Sequence, residues 1–265
     1  MSNYELNHHR QGHGEPLLLF HGIGHRWQAW EPILDRLAEY HEVIAVDLPG
    51  FGESPVPPNG VPTNMDEAVA EVARFLRDQS IEKPHVAGNS LGGAIALELA
   101  DHDLVASCTA LSPAGFFTPG EARRGVRILK RMRASTYWPK PILRTALRLP
   151  FVRDLSYKPI IADPTTLPSQ RLLDDARALR RGKGFRPIAK EAPRYSFRGE
   201  PKAPTTVAWG TNDRILRPRQ AIRAQVRLPE VRHLPLEGCG HVPMSDDPTA
   251  VAEAILTTTG ARHST

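Results

Sequence analysis

The chain has 265 residues, 40% of them hydrophobic and 24% charged; that suits one α/β domain with an insertion, or two small domains, and supplies a full core. No apolar run approaches the roughly 18 residues of a membrane span, the polar start MSNYELNHHRQGHGE lacks the apolar stretch of a signal peptide, and two cysteines, Cys108 and Cys239, make no disulfide framework, so a cytoplasmic protein is expected. The net charge of +5 is uneven: residues 116–200 hold 20 Lys+Arg and 7 Asp+Glu, so a basic middle sits in an acidic frame.

Pro16 to Gly22 is a short apolar run closed by glycine and reads as a buried strand. A helix follows near Trp30 to Glu39, then a β-branched strand from Glu42 to Leu48, broken by Pro49-Gly50-Phe51-Gly52. Asp66 to Gln79 has Val69, Val72, Ala73 and Leu76 at helical spacing. Pro84 to Ser90 is a strand, Leu91 to Ala100 a helix directly behind it, and Ala106 to Leu111 another strand. This alternation predicts an α/β fold with a mostly parallel, doubly wound sheet. From Phe117 to about Ala203 strands vanish, and arginine, proline and helical stretches such as Ser169 to Arg181 replace them. The sheet resumes at Thr205 to Gly210, followed by a helix from Pro218 to Val226, a strand from Val231 to Leu236 and a helix from Thr249 to Thr258. The expected division is a core of residues 1–116 and 204–265 around an inserted helical unit, 117–203.

Gly88-Asn89-Ser90-Leu91-Gly92 matches G-x-S-x-G between a strand and a helix, where a sharp turn holds a serine exposed above the sheet. A serine hydroxyl is a weak nucleophile and needs a base. His241, in a glycine-rich turn after the last predicted strand, stands at the sheet edge where open α/β folds bind ligands. Asp213, past the preceding strand, is the carboxylate expected to orient His241. Asp246 and Asp247 read as a device at the start of the last helix. Negative charge developing at a carbonyl would meet the N–H of Leu91 and that of Ile23, with Gly24 the second candidate, in the loop His21-Gly22-Ile23-Gly24.

The segments HGIG, DLPGFGES, GNSLGG, WGTND and GCGHVP together resemble the motifs of the α/β-hydrolase superfamily, in family order and along nearly the whole chain. The order Ser90, Asp213, His241 is also that of these enzymes. The resemblance implies a sheet of that type with a helical cap inserted after the sixth strand and placed over the active site. Only Tyr4 to Arg10 precedes the HGIG strand, so the usual N-terminal hairpin is expected to be cut down. Serine at position 90 separates the chain from epoxide hydrolases and haloalkane dehalogenases, which carry aspartate there. The expected function is a serine hydrolase cleaving a carboxylic ester, lactone or thioester through an acyl-enzyme, with no cofactor and no metal. C–C bond hydrolysis or cofactor-free perhydrolysis with the same triad is the alternative, and a non-catalytic small-molecule receptor the second.

Gly22, Gly24, Trp27, Asn89 and Phe116 are expected around the substrate, whereas Trp30 is expected in the core and Cys239 as a packing residue. Arg123, Arg124, Arg127, Lys130, Arg131 and Arg133 crowd one stretch of the insertion. They read as a solvated helix face, as a site for an anionic acyl substrate, or as a contact with an anionic membrane surface; no nucleic-acid recognition motif accompanies the charge. A monomer or homodimer is expected.

Overall fold

The computed structural model describes residues 4–261. Seven strands, β1 (His8–Gln11), β2 (Pro16–Phe20), β3 (Glu42–Val46), β4 (His85–Asn89), β5 (Ser107–Leu111), β6 (Thr205–Gly210) and β7 (Arg232–Leu236), form one sheet in the order β1-β3-β2-β4-β5-β6-β7. All neighbours run parallel except β1, which pairs antiparallel with β3.

Strand β2 shows why the apolar runs are continuous. Leu17 and Leu19 point into a core layer that also holds Ile33, Leu34 and Leu37 of α1 (Glu31–Ala38) and Val251, Ile255 and Leu256 of α11 (Pro248–Thr259). Leu18 and Phe20 point the other way, into a layer shared with Val72, Phe75 and Leu76 of α2 (Met65–Asp78) and Ile95 and Leu99 of α3 (Leu91–Asp101). A parallel sheet covered on both faces has no polar side to alternate with. Trp30 is fully buried in the first layer, as expected.

Between β5 and β6 the chain forms five α-helices: α4 (Pro119–Ser135), α5 (Lys140–Ala146), α6 (Pro150–Tyr157), α7 (Ser169–Arg181) and α8 (Phe185–Glu191). Two more, α9 (Arg219–Arg227) and α10 (Pro243–Asp246), flank β7. Among the described residues the insertion follows the fifth strand, not the sixth. The described residues before β2 supply a single antiparallel strand, so every later strand moves down by one. Helix α4 covers the basic cluster for which a solvated helix face was one expectation, and the structure supplies its bounds. Its start is a capping box: the Thr118 side chain accepts from Glu121 N–H (3.3 Å), the Glu121 carboxylate accepts from Thr118 N–H (2.8 Å), and Pro119 opens the first turn. Glu121 also pairs with Arg219 and Arg223, which ties the insertion to α9.

The strand order places the site. From β2 the chain moves to β3 on one side, and from β4 to β5 on the other. The loops leaving the C-terminal ends of β2 and β4 therefore part, and a crevice opens between them at this topological switch point.

Candidate active site

Ser90 is the single residue between β4 and α3, with φ 57° and ψ −110°. A non-glycine residue there stores about 1–3 kcal/mol of strain, which the surroundings must overcome. They do so through the main chain: Ser90 N–H donates to Leu111 O (2.9 Å), and Ser90 O accepts from Ala94 N–H and Ala114 N–H (both 3.0 Å). The flanking glycines are steric necessities. A Cβ on Gly88 would lie 2.1 Å from Gly92 O, and one on Gly92 would lie 2.1 Å from Phe20 O. Gly22 is close enough that its Cβ would stand 3.2 Å from Ser90 Cβ, so the loops after β2 and β4 do meet at the crevice.

His241 lies in the turn after β7, with its Nδ1 donating to Asp213 Oδ2 at 2.7 Å. Both residues are buried, Asp213 the more completely, with its side chain wholly excluded from solvent. The other oxygen, Asp213 Oδ1, accepts from Ile215 N–H and Leu216 N–H, each at 2.8 Å. These two donors fix the carboxylate plane, and the hydrogen bond from Nδ1 leaves Nε2 as the acceptor.

The loop after β2 is set by a buried histidine. His21 Nδ1 donates to Gly22 O (2.7 Å) and its Nε2 accepts from Leu48 N–H (3.0 Å), the pattern of a neutral ring. Burial pushes its pKa down to about 4, against an opposing attraction from Asp47. Gly22 O also accepts from His25 N–H (3.1 Å). In a trans peptide the carbonyl and the following N–H point in opposite directions, so anchoring Gly22 O orients the Ile23 N–H. Neither Ile23 N–H nor Leu91 N–H, the latter at the first turn of α3, donates to a protein acceptor among the described residues.

Two cavities meet at Ser90. The larger, about 460 Å³, is mostly apolar, with Leu48, Val72, Ile95, Val126 and Ile215 in its wall; its one charged pair is Arg194 with Glu191. The smaller, about 70 Å³, is lined by Gly22, Gly24, Asn89, His241 and Tyr157 among others. Ile23, Ser90 and Leu129 belong to both. Helix α4 builds the roof: Ala122, Gly125, Val126 and Leu129, spaced as one helical stripe, face the larger cavity. Arg123, Arg127, Lys130 and Arg131 are exposed on its other side. Arg133 instead donates to Leu179 O (3.0 Å) and Arg180 O (2.9 Å), closing the C-terminal end of α7.

The structure brings together Ser90, His241, Asp213, Ile23 and Leu91, with Gly22, Gly24 and Asn89 at the cavity wall. Two expected pocket residues lie elsewhere. Trp27 stacks on His9 (centroids 4.5 Å apart), and Phe116 packs between Phe197 and Trp209 in the core; neither lines a cavity that reaches Ser90. Both follow ring partners that are distant in sequence.

Two supporting residues were not legible as such. The Asn89 amide donates to His241 O (2.9 Å) and Leu111 O (3.2 Å), clamping the histidine turn to the end of β4. Asp247 does cap α11, accepting from Ala250 N–H (2.9 Å). Asp246 is different: it accepts from Gly240 N–H (2.7 Å) and Ala162 N–H (2.8 Å), stitching the histidine turn to the insertion. Partial burial raises its pKa. Cys239 is buried, with its thiol pushed up to about 12 by burial, in keeping with a packing role. Among the described residues, the one group of clustered metal-type ligands is Glu98, Asp101 and His102, at the far end of α3 from Ser90. Glu98 and Asp101 are occupied there by Tyr195 OH and Glu200 N–H.

The model of the alpha/beta hydrolase family matches residues 17–254. An uncharacterized protein of Mycobacterium tuberculosis is 29% identical over 269 residues, spanning 92% of this chain and 75% of its own. Lipase 1 of Psychrobacter immobilis is 29% identical over 241 residues, 87% of this chain and 72% of the lipase. A thermophilic esterase from Thermogutta terrifontis superimposes with a TM-score of 0.71, at 24% identity, over 98% of this chain and 94% of the esterase, a likeness of fold. With the family's sheet order, its strand-turn-helix at Ser90 and a match over most of its length, this chain belongs to the alpha/beta hydrolase family.

Proposed function

We propose that the protein is a serine hydrolase that cleaves a carboxylic ester, or a related lactone or thioester, with an apolar acyl group. The observation that carries this reading is the strained Ser90 where an apolar cavity meets a smaller one bearing His241, with His241 hydrogen-bonded to the buried Asp213. Ser90 Oγ attacks the carbonyl carbon while His241 Nε2 takes its proton. Asp213 holds the ring and stabilises the imidazolium. The Ile23 and Leu91 N–H groups receive the oxyanion. His241 then returns the proton to the leaving alcohol or thiol, and water, activated by the same ring, releases the acid and restores Ser90. The insertion acts as a cap, with α4 closing the acyl cavity.

The apolar wall favours acyl chains over anionic substrates, since its one charged pair is satisfied internally. The relatives named as a lipase and an esterase point the same way. A chain-length series of p-nitrophenyl esters, run beside acyl thioesters, tests it. Each methylene that enters the cavity is worth about 0.8 kcal/mol, so kcat/KM should rise roughly fourfold per CH₂ until the cavity is full. A fluorophosphonate should label the parent and leave Ser90→Ala unlabelled. Full ester turnover by Ser90→Ala would end the proposal.

A further inference from the structure

Eight large hydrophobic side chains stand exposed among the described residues, and six of them fall between residues 137 and 155: Tyr137, Trp138, Ile142, Leu149, Phe151 and Leu155. Phe151 is 69% and Leu155 80% exposed. Exposed apolar side chains scattered singly need no explanation, but a run of six in one segment does. Phe151 and Leu155 are four apart on α6, so they share a helix face.

The same segment carries Lys140, Arg144 and Arg148, four residues apart and all exposed, none in an ion pair among the described residues. Asp154 is the one acidic residue between 136 and 158, and it is held by Lys158 at 2.9 Å. A groove of about 570 Å³ beside the segment adds Arg180 and Arg181 to Trp138 and Lys140. The other side of the segment faces inward: Leu143, Leu147 and Tyr157 line the small cavity at Ser90. One layer of chain thus separates the exposed apolar side chains from the candidate nucleophile.

We infer that residues 137–155 dock on an anionic lipid surface. Phe151, Leu155 and Ile142 enter the acyl boundary, Trp138 and Tyr137 sit at headgroup level, and the cations meet lipid phosphates. Lys and Arg stems are long enough to reach headgroups while apolar neighbours go deeper. A second copy is the poorer occupant. A two-fold contact through this face would set one unpaired cationic stripe against another. Under the proposed function, docking would hold the small cavity at Ser90 one layer of chain away from a source of acyl substrates; the surface itself does not depend on that reading.

The test is flotation with vesicles of phosphatidylcholine alone and of phosphatidylcholine mixed equally with phosphatidylglycerol. Ser90→Ala protein is used, so no lipid is consumed and the outcome is independent of what Ser90 does. The protein should float with the anionic vesicles, stay behind with the neutral ones and be released by high salt. Two double variants separate the contributions: Phe151→Ser with Leu155→Ser, and Arg144→Glu with Arg148→Glu. All four positions are exposed, so thermal melts should match the parent while partitioning falls by about tenfold or more in each. A parent that stays behind with anionic vesicles, or double variants that float as the parent does, would overturn the inference. So would a concentration-dependent dimer abolished by Phe151→Ser with Leu155→Ser in the absence of vesicle binding.

Discussion

Asp213→Asn isolates the role of the carboxylate with almost no change of shape. Asn carries one acceptor oxygen and one amide nitrogen, so the backbone decides its orientation. Ile215 N–H and Leu216 N–H both point at Oδ1, each at 2.8 Å. Placing the Asn nitrogen there would set donors against two buried donors, costing about 1–3 kcal/mol for each one unsatisfied. The Asn oxygen therefore stays on the backbone, and its NH₂ replaces Oδ2, 2.7 Å from His241 Nδ1. A donor at that position makes Nδ1 the acceptor, so the ring proton moves to Nε2, which then cannot accept from Ser90. The expected loss in kcat is about 10⁴, or about 5.5 kcal/mol of barrier. KM should change little, since Asp213 lines neither cavity. The assay is kcat and KM on the best p-nitrophenyl ester, with a thermal melt beside it to confirm the fold. Retention of more than a tenth of parental kcat by a folded variant would refute the tautomer argument.

Other outcomes follow from the same contacts. Gly92→Ala would place a Cβ 2.1 Å from Phe20 O, which belongs to the backbone of β2 and cannot rotate away; a stability loss of about 3 kcal/mol or more is expected in denaturant unfolding, and a loss below 1 kcal/mol would contradict the close packing. Leu129→Trp, at the junction of the two cavities, should depress kcat/KM for long acyl esters relative to short ones, roughly fourfold per excluded methylene; an unchanged chain-length profile would move the acyl group elsewhere. His21 binds a proton less readily when folded, since its pKa is pushed down to about 4 by burial. Its contribution is fully present above the unfolded value near 6.5 and is lost as pH falls toward 4, a change on the order of 3 kcal/mol. Unfolding free energies measured from pH 7 to 4 should show this slope, and His21→Asn should flatten it.

Much of this site was legible in the amino-acid order because its constraints are local. Gly88 and Gly92 are required by backbone atoms a few residues away and by an adjacent strand, so the motif itself reports the turn at Ser90. The apolar runs of β2 and β3 report a sheet covered on both faces, since a polar side chain buried on either side would need a partner. The insertion announced itself as a loss of strand pattern, and the arginines on the outer face of its longest helix, α4, suggested a solvated helix face without giving its bounds.

What the tertiary structure alone decided were directions. Trp27 follows the loop after β2 in sequence, yet it turns away to stack on His9; Phe116 follows β5, yet it enters the core beside Trp209. Asn89 and Asp246 became supports of the His241 turn through partners 152 and 84 residues away. The apolar stripe of α4 faces the cavity and its cations face solvent, while Phe151 and Leu155 do the reverse and stand outside. A side chain's direction is set by which distant surfaces fold against its element. Local periodicity can name the faces of a helix, but only the packed chain determines which face is covered.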